Sequence, residues 1–400
     1  MTPDPLSDVV SAQYETWVYP EPIVDLPAWM ESSWQWFDPR ISHRMMWPDR
    51  PYSPDLDILI AGCGTNQAAV FAYSNPSAKV VAIDVSQTSL DHHRFLKEKY
   101  QLTNLELHRL PIEDVESLGL TFDLIVSSGV LHHMADPLLG MQSLAGVLRP
   151  DGVIAIMLYA KYGRLGVEMM QGIFREMGLR QDQESIDKVR EALAALPPGH
   201  PVQSYLEIAP DLQFDAGLVD TFLHGRDRNY TVVDCLELVE NSGLVFQEWL
   251  LKSPYYPHFA PESGFVADVA ALPERAQWAA MERINFRNGC HFFTACHPAR
   301  PTSTYVIDFA SDEFSNYVPE FRHACSFNGP RLSRYDWSMD LDGDQLAFVE
   351  LVDGQRTIEE ITTLVENSGS LTNSDQISEA ARATFRSLWQ LDFLSMGIRA

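Results

Sequence analysis

Three histidines stand where an imidazole could take a proton from a reacting group. His132 and His133 close the run Phe122-Asp123-Leu124-Ile125-Val126-Ser127-Ser128-Gly129-Val130-Leu131-His132-His133. His224 lies in the polar stretch Phe222-Leu223-His224-Gly225-Arg226-Asp227-Arg228-Asn229-Tyr230. A base of this kind is needed when an oxygen or nitrogen nucleophile must lose a proton as it reacts. Asp227, three residues after His224, could orient that ring or simply pin the loop. Tyr159 ends another apolar run and Tyr205 follows in the next segment; either phenol could contact an acceptor. The histidines at 132 and 133 also have a packing alternative: one lies beneath a bound nucleoside and the other caps the helix opened by Asp136-Pro137.

A second constellation suits ligand binding. The run Ile58-Leu59-Ile60-Ala61 breaks at Gly62-Cys63-Gly64-Thr65-Asn66, and Val80-Val81-Ala82-Ile83 ends in Asp84. Strand, glycine turn, helix, strand, acid is how a doubly wound sheet holds an adenosine-containing ligand at its carboxyl edge. A dinucleotide fingerprint requires a third glycine at position 67, where this chain has Gln67, so a ligand without a pyrophosphate is expected. Cys290-His291 and Cys296-His297 are spaced too regularly along an alternating strand pattern to read as a metal site, and no metal is assigned. The five cysteines are expected to be reduced thiols of a cytoplasmic protein.

Over residues 55–160 the chain is similar to the class I S-adenosylmethionine-dependent methyltransferases. The similarity rests on the Gly62–Gly64 turn, Asp84, Asp114, the run Phe122–His133 and the turn Leu148-Arg149-Pro150-Asp151-Gly152. It implies S-adenosylmethionine as methyl donor and S-adenosylhomocysteine as product. Gly62, Cys63, Gly64 and Asn66 would lie beneath the methionine carboxylate and ribose. Asp84, with Val85 beside it, would accept from both ribose hydroxyls. Ile112, Glu113 and Asp114 would meet the adenine, and Ser128, Gly129 and Val130 would line the methyl-donor pocket. Two positions depart from the family. Ile60 replaces an acid that would meet the methionine amino group, and Asn66 replaces a glycine, in a turn that asparagine tolerates. A family subset often joined to tetratricopeptide repeats shares Ala-Gly-Cys-Gly-Thr and a Tyr-Glu…Tyr-Pro arm. With no acid at Ile60, Gln13, Tyr14 and Glu15 of this arm could close over the amino group; the faces of Tyr14, Tyr19 or Trp17 could hold the sulfonium, with a buried aromatic staple as the alternative role for Trp17.

These residues need elements to position them. Strands are expected at 57–61, 79–84, 104–108, 122–128 and 152–160, with helices near 66–74, 87–100 and 137–148. This alternation predicts an α/β, doubly wound, Rossmann-like seven-stranded sheet. Residues 1–50, dense in proline and aromatics, read as an N-terminal arm or lid. Residues 51–298 form the catalytic domain, with a helical lid insertion at 161–230. After the linker at 298–301, residues 302–400 resemble a small, mainly helical winged-helix interaction domain, expected to separate cleanly. Thr357 with Glu360 reads there as a capping box.

A net charge of -26 over 400 residues argues against an extended phosphate-binding surface. The apolar runs are strand-length, so no membrane span is expected. The function expected is methyl transfer by direct displacement to nitrogen or oxygen of a small-molecule or peptide-like acceptor. A protein methyltransferase and a noncatalytic donor-binding regulator are the alternatives. Residues 302–400 are expected to meet a protein partner or a second copy of the chain.

Overall fold

The computed structural model of the chain describes residues 4–369 and 374–399. Two compact units emerge. One contains residues up to Gln35 with Pro54–Phe246 and Trp278–Ala299; the other contains Trp36–Ser53, Gln247–Gln277 and the chain from Arg300 onward. This differs from the expected division at 50 and 298–302, because the chain passes between the units several times rather than once at a linker.

The first unit is built on the strands β1 (Asp57–Ala61), β2 (Lys79–Asp84), β3 (Leu105–Arg109), β4 (Phe122–Ser128), β5 (Leu148–Tyr159), the start of β6 (Val245–Trp249) and β7 (Cys290–Cys296). Their order in the sheet is β3-β2-β1-β4-β5-β7-β6. β1 runs parallel to β2 and β4, β2 to β3 and β4 to β5, while β7 is antiparallel to β5. Ile58, Leu59, Ile60, Val80, Val81, Ile125 and Val126 are wholly buried. Strands covered on both faces need apolar residues at every position, which is why these segments read as unbroken hydrophobic runs. The order reverses between β1 and β4, so their carboxyl ends frame the crevice where such folds bind ligands.

Helices Gln67–Ser74, Gln87–Tyr100 and Pro137–Gly146 alternate with the strands. Asp136 caps the last of these with its own carboxylate on the amides of Leu138 and Leu139, so neither His132 nor His133 serves as that cap. The insertion holds helices Leu165–Glu176, Gln183–Ala195, Val202–Leu206 and Asp215–Phe222. They share their own apolar cluster, with Val167, Ile186, Val189, Val202 and Val219 fully buried and Trp17 packed against it.

In the second unit, helices Gly343–Val349, Ile358–Ser368 and Ser374–Gln390 precede a strand, Leu394–Ile398, that pairs antiparallel with Tyr317–Phe321. The capping box of Thr357 and Glu360 forms as read. Three short strands, Ser326–Asn328, Arg331–Ser333 and Ser338–Asp340, make a separate antiparallel sheet. Asp392 knots this unit together: its carboxylate accepts from the amides of Lys252 and Ser253 at 2.9 Å each and pairs with Arg322.

Candidate functional site

The glycine turn lies at the mouth of β1. Gly62 and Gly64 adopt φ of +77° and +52°, a region that side chains with a Cβ enter at a cost. Space makes the same demand: a Cβ on Gly62 would fall 2.4 Å from Cγ2 of Val130. Cys63 is a buried free thiol beside this turn. Asn66 is not left-handed; its φ is -127°. Its amide is used instead on the N-terminal arm, accepting from the Ile23 amide at 2.9 Å and donating to the Glu21 carbonyl at 2.7 Å. Thr65 Oγ1 donates to the Pro20 carbonyl at 2.6 Å. The position therefore takes asparagine for its reach to the arm rather than for turn geometry.

At the end of β2, Asp84 accepts from the Gly64 amide at 2.9 Å and the Ser86 amide at 2.8 Å. Burial raises its carboxyl to about 6, against the pull of those amides. The two bonds fix the plane of the carboxylate beside the glycine turn. Val85 follows with its carbonyl on Arg109 Nε. Ile112 is buried, Glu113 half-buried and Asp114 exposed at the start of the turn Ile112–Leu118, next to β3. Ser128, Gly129 and Val130 are half-buried at the end of β4, with Gly129 in the left-handed region at +78°.

The side chains of the arm expected over the amino group have partners on the body. Glu15 accepts from the Gln87 amide at 2.6 Å and Thr88 Oγ1 at 2.7 Å, a carboxylate at the start of a helix. Gln13 accepts from Gln181 Nε2 at 2.6 Å. Tyr14 and Tyr19 send their hydroxyls to carboxylates of the insertion, Asp220 Oδ1 at 2.7 Å and Asp211 Oδ2 at 2.8 Å. Trp17 donates from its indole to the Gln181 carbonyl.

Four of the five candidate catalytic residues meet above the ends of β4 and β5. His133 and His224 stack at 3.8 Å, and His132 stacks on Tyr159 at 3.9 Å. Tyr159 donates to Asp220 Oδ2 at 3.0 Å. His133 Nδ1 lies 3.0 Å from the Arg226 carbonyl. A carbonyl can only accept, so Nδ1 carries the hydrogen and Nε2 keeps its lone pair in the neutral ring. His224 is the reverse: its Nδ1 accepts from the Arg226 amide at 2.9 Å, which places the hydrogen on Nε2, 3.4 Å from the Tyr14 hydroxyl. Burial pushes His224 well below its ordinary range. His132 is likewise pushed well down, first by burial and then by His133. Both its ring nitrogens lack hydrogen-bond partners among the described residues. His132 thus packs against Tyr159 with no bonded partner to fix its tautomer, unlike His133 and His224.

Asp227, the fifth, stands apart from His224. It pairs with Arg164 at 3.1 Å and accepts from Gln171 Nε2 at 2.8 Å, all three side chains being buried. Arg164 in turn lies 3.6 Å over the Tyr159 ring and near the Tyr205 ring. Asp227 and Tyr205 thus brace the wall of the site. Asp220 is the residue that sequence reasoning missed. The signal was an acid inside Gly217-Leu218-Val219-Asp220-Thr221-Phe222, a run that is buried throughout.

His133, Asp220 and His224 bring ligand-capable atoms within 4.8 Å of one another. Their geometry does not favour a metal. The two imidazoles lie face to face, so their lone pairs run side by side rather than converge, and Nδ1 of His224 is already an acceptor.

A doubly wound α/β domain with a glycine turn, an acid at the second strand and a polar cluster at the fourth and fifth is the class this geometry defines. Residues 53–195 match a family described as methyltransferase domain. An uncharacterized protein of Synechococcus is 31% identical over 255 residues, covering 61% of this chain and 60% of its own. The tRNA 5-carboxymethoxyuridine methyltransferase of Escherichia coli is 31% identical over 153 residues, covering 38% of this chain and 57% of its own. The chain thus spans about 60% of the length of these curated relatives. PKMT2 from Rickettsia typhi has a similar fold, with a TM-score of 0.66 at 14% identity over 90% of this chain and 76% of that one; it has also been solved with AdoHcy. The tetratricopeptide association does not emerge from these relatives. Nor do they support excluding nucleic acid, since one is a tRNA-modifying enzyme. No helix among the described residues is long and apolar enough to cross a membrane.

Proposed function

We propose that the chain is an S-adenosylmethionine-dependent methyltransferase acting on nitrogen or oxygen of a small-molecule or peptide-like acceptor. The observation that carries this reading is the pairing of two fixed groups across the crevice. Asp84 is held by two amides at the end of β2, and His133 is oriented by the Arg226 carbonyl beyond β4. The first suits a ribose diol, and the second presents a lone pair on Nε2.

The donor supplies a methyl group on a sulfonium, which leaves as a neutral thioether and needs no acid. The chain's contribution is then alignment, which can remove roughly 7–11 kcal/mol of barrier. His133 Nε2 takes the proton that the nucleophile sheds, and the Arg226 carbonyl steadies the imidazolium through Nδ1–H. His132, Tyr159 and Arg164 keep the wall beside it rigid. A tRNA acceptor is the second reading, supported by the Escherichia coli relative and weighed down by the net charge of -26. The segment from Arg300 onward, with helices Gly343–Val349, Ile358–Ser368 and Ser374–Gln390, is proposed as an element for a protein partner or a second copy.

Calorimetric titration with S-adenosylmethionine, S-adenosylhomocysteine and NAD tests the donor. Micromolar binding of the first two and none of the third is expected; failure of both adenosyl ligands would end this reading. A labelled-methyl screen over small amines, hydroxy compounds, peptides and bulk tRNA then separates the acceptors. Donor binding without transfer to any of them would favour a regulator.

A further inference from the structure

Asp220 has a chemical problem that the site described so far does not solve. Its carboxylate is 1% exposed, yet no arginine or lysine pairs with it among the described residues. Its bonds are to two neutral phenols, Tyr14 and Tyr159. Burial pushes its carboxyl up, while the neighbouring His133 and the two hydroxyls pull the other way. A buried carboxylate without a cation is costly to keep, and the two tyrosines orient it without neutralising it.

Its place above the sheet follows from who holds it. The Tyr14 carbonyl accepts from Ser86 Oγ at 3.3 Å, so Tyr14 rises from beside the end of β2. Tyr159 rises from the end of β5. Between β2 and β5 lie β1 and β4, and two tyrosines leaning inward from either side meet on one carboxylate above that gap. Tyr19 gives a third bearing. Its carbonyl lies 3.4 Å from where a Cβ on Gly64 would stand, and its phenol, raised by burial, is raised further by the charge on Asp220. Asp220 is therefore held between the arm and the end of β5, on the side of the sheet where the glycine turn and Asp84 lie.

The geometry points to Asp220 as the counter-ion of the α-ammonium group of bound S-adenosylmethionine, supplied by the insertion rather than by the sheet. This rests on the proposed donor. β1 offers no acid at its carboxyl end, where Ile60 is buried in the sheet; Asp57, at its other end, pairs with Arg149, and Glu15 is engaged at the helix start. The aromatic rings of Tyr14, Tyr159 and His133 around Asp220 suit a cation as well.

The test compares S-adenosylhomocysteine with its deaminated analogue, identical but for the missing ammonium, by calorimetry on the full chain. Wild-type protein is expected to prefer the amino ligand at least tenfold, and Asp220→Asn, which keeps the shape of the side chain, is expected to erase the preference. Equal affinities in the wild type overturn the assignment, whether or not the variant folds. So does a preference that survives in Asp220→Asn. Weakening of S-adenosylmethionine alone, with S-adenosylhomocysteine unchanged, would place the carboxylate at the sulfonium and equally refute it. Wild-type protein that binds neither adenosyl ligand would instead defeat the donor reading itself.

Discussion

Asp84 gives the site a pH signature. A carboxyl raised to about 6 is ionised above that pH and protonated below it, and only the ionised form accepts from both hydroxyls of a diol. Donor affinity should be full at pH 7.5 and about tenfold weaker at pH 5, measured by calorimetry. Asp84→Ala should cost at least tenfold at pH 7.5 and flatten the profile. The two adjacent histidines should separate kinetically. His133→Gln is expected to lower kcat about a hundredfold or more with donor Kd unchanged. His132→Phe, which keeps the ring against Tyr159, should retain most of the rate; equal losses would assign the proton to the wrong ring. Asp84 was legible as a candidate because it ends an apolar run, and His133 because it closes the stretch that follows one. Sequence could not place Asp220, because a lone acid in a short helix takes its meaning from partners such as Tyr14, distant in the chain. It left Asp227 open between orienting His224 and pinning the loop, because proximity in sequence to His224 said nothing of Arg164, whose buried guanidinium pairs with it.

At the scale of elements, the strands were legible because burial on both faces writes an unbroken apolar run. The insertion was legible only as helical, since its short helices bury their faces on one another. The arm was the least legible part, because its hold on the body joins residues far apart in the chain, through side chains such as Tyr14 and Tyr19 and through the carbonyls of Pro20 and Glu21. Asn66 ties it down, so Asn66→Ala should strand the buried Ile23 amide, weaken donor binding about tenfold and speed proteolysis of the arm. An unchanged cleavage rate would count against the tether. Arg164 and Asp227 anchor the insertion to the sheet end. Arg164→Met leaves a buried carboxylate with Gln171 for company and should cost about 3 kcal/mol in denaturant unfolding, whereas breaking a surface pair such as Lys188 with Glu191 should leave the unfolding midpoint nearly unmoved.

The whole molecule does not come apart where the proline-rich linker invited a cut. Residues 36–53 and 247–277 belong with the chain beyond Arg300, and Asp392 supplies the acceptor for the amides of Lys252 and Ser253. A chain ending at residue 300 should therefore aggregate or lose its cooperative melt, which size-exclusion chromatography and calorimetry would register. A stable, monodisperse truncation would restore the simpler division. The reach of the first residues has a temporal consequence as well. Tyr14 finds Asp220 across 206 positions, and Gln13 finds Gln181 across 168. The segment Val9–Thr16 must wait for most of the first unit to be made before it has anywhere to dock. What is synthesised earlier is thus assembled later, and pulse-labelled hydrogen exchange during refolding should find the amides of Val9–Thr16 among the last to gain protection.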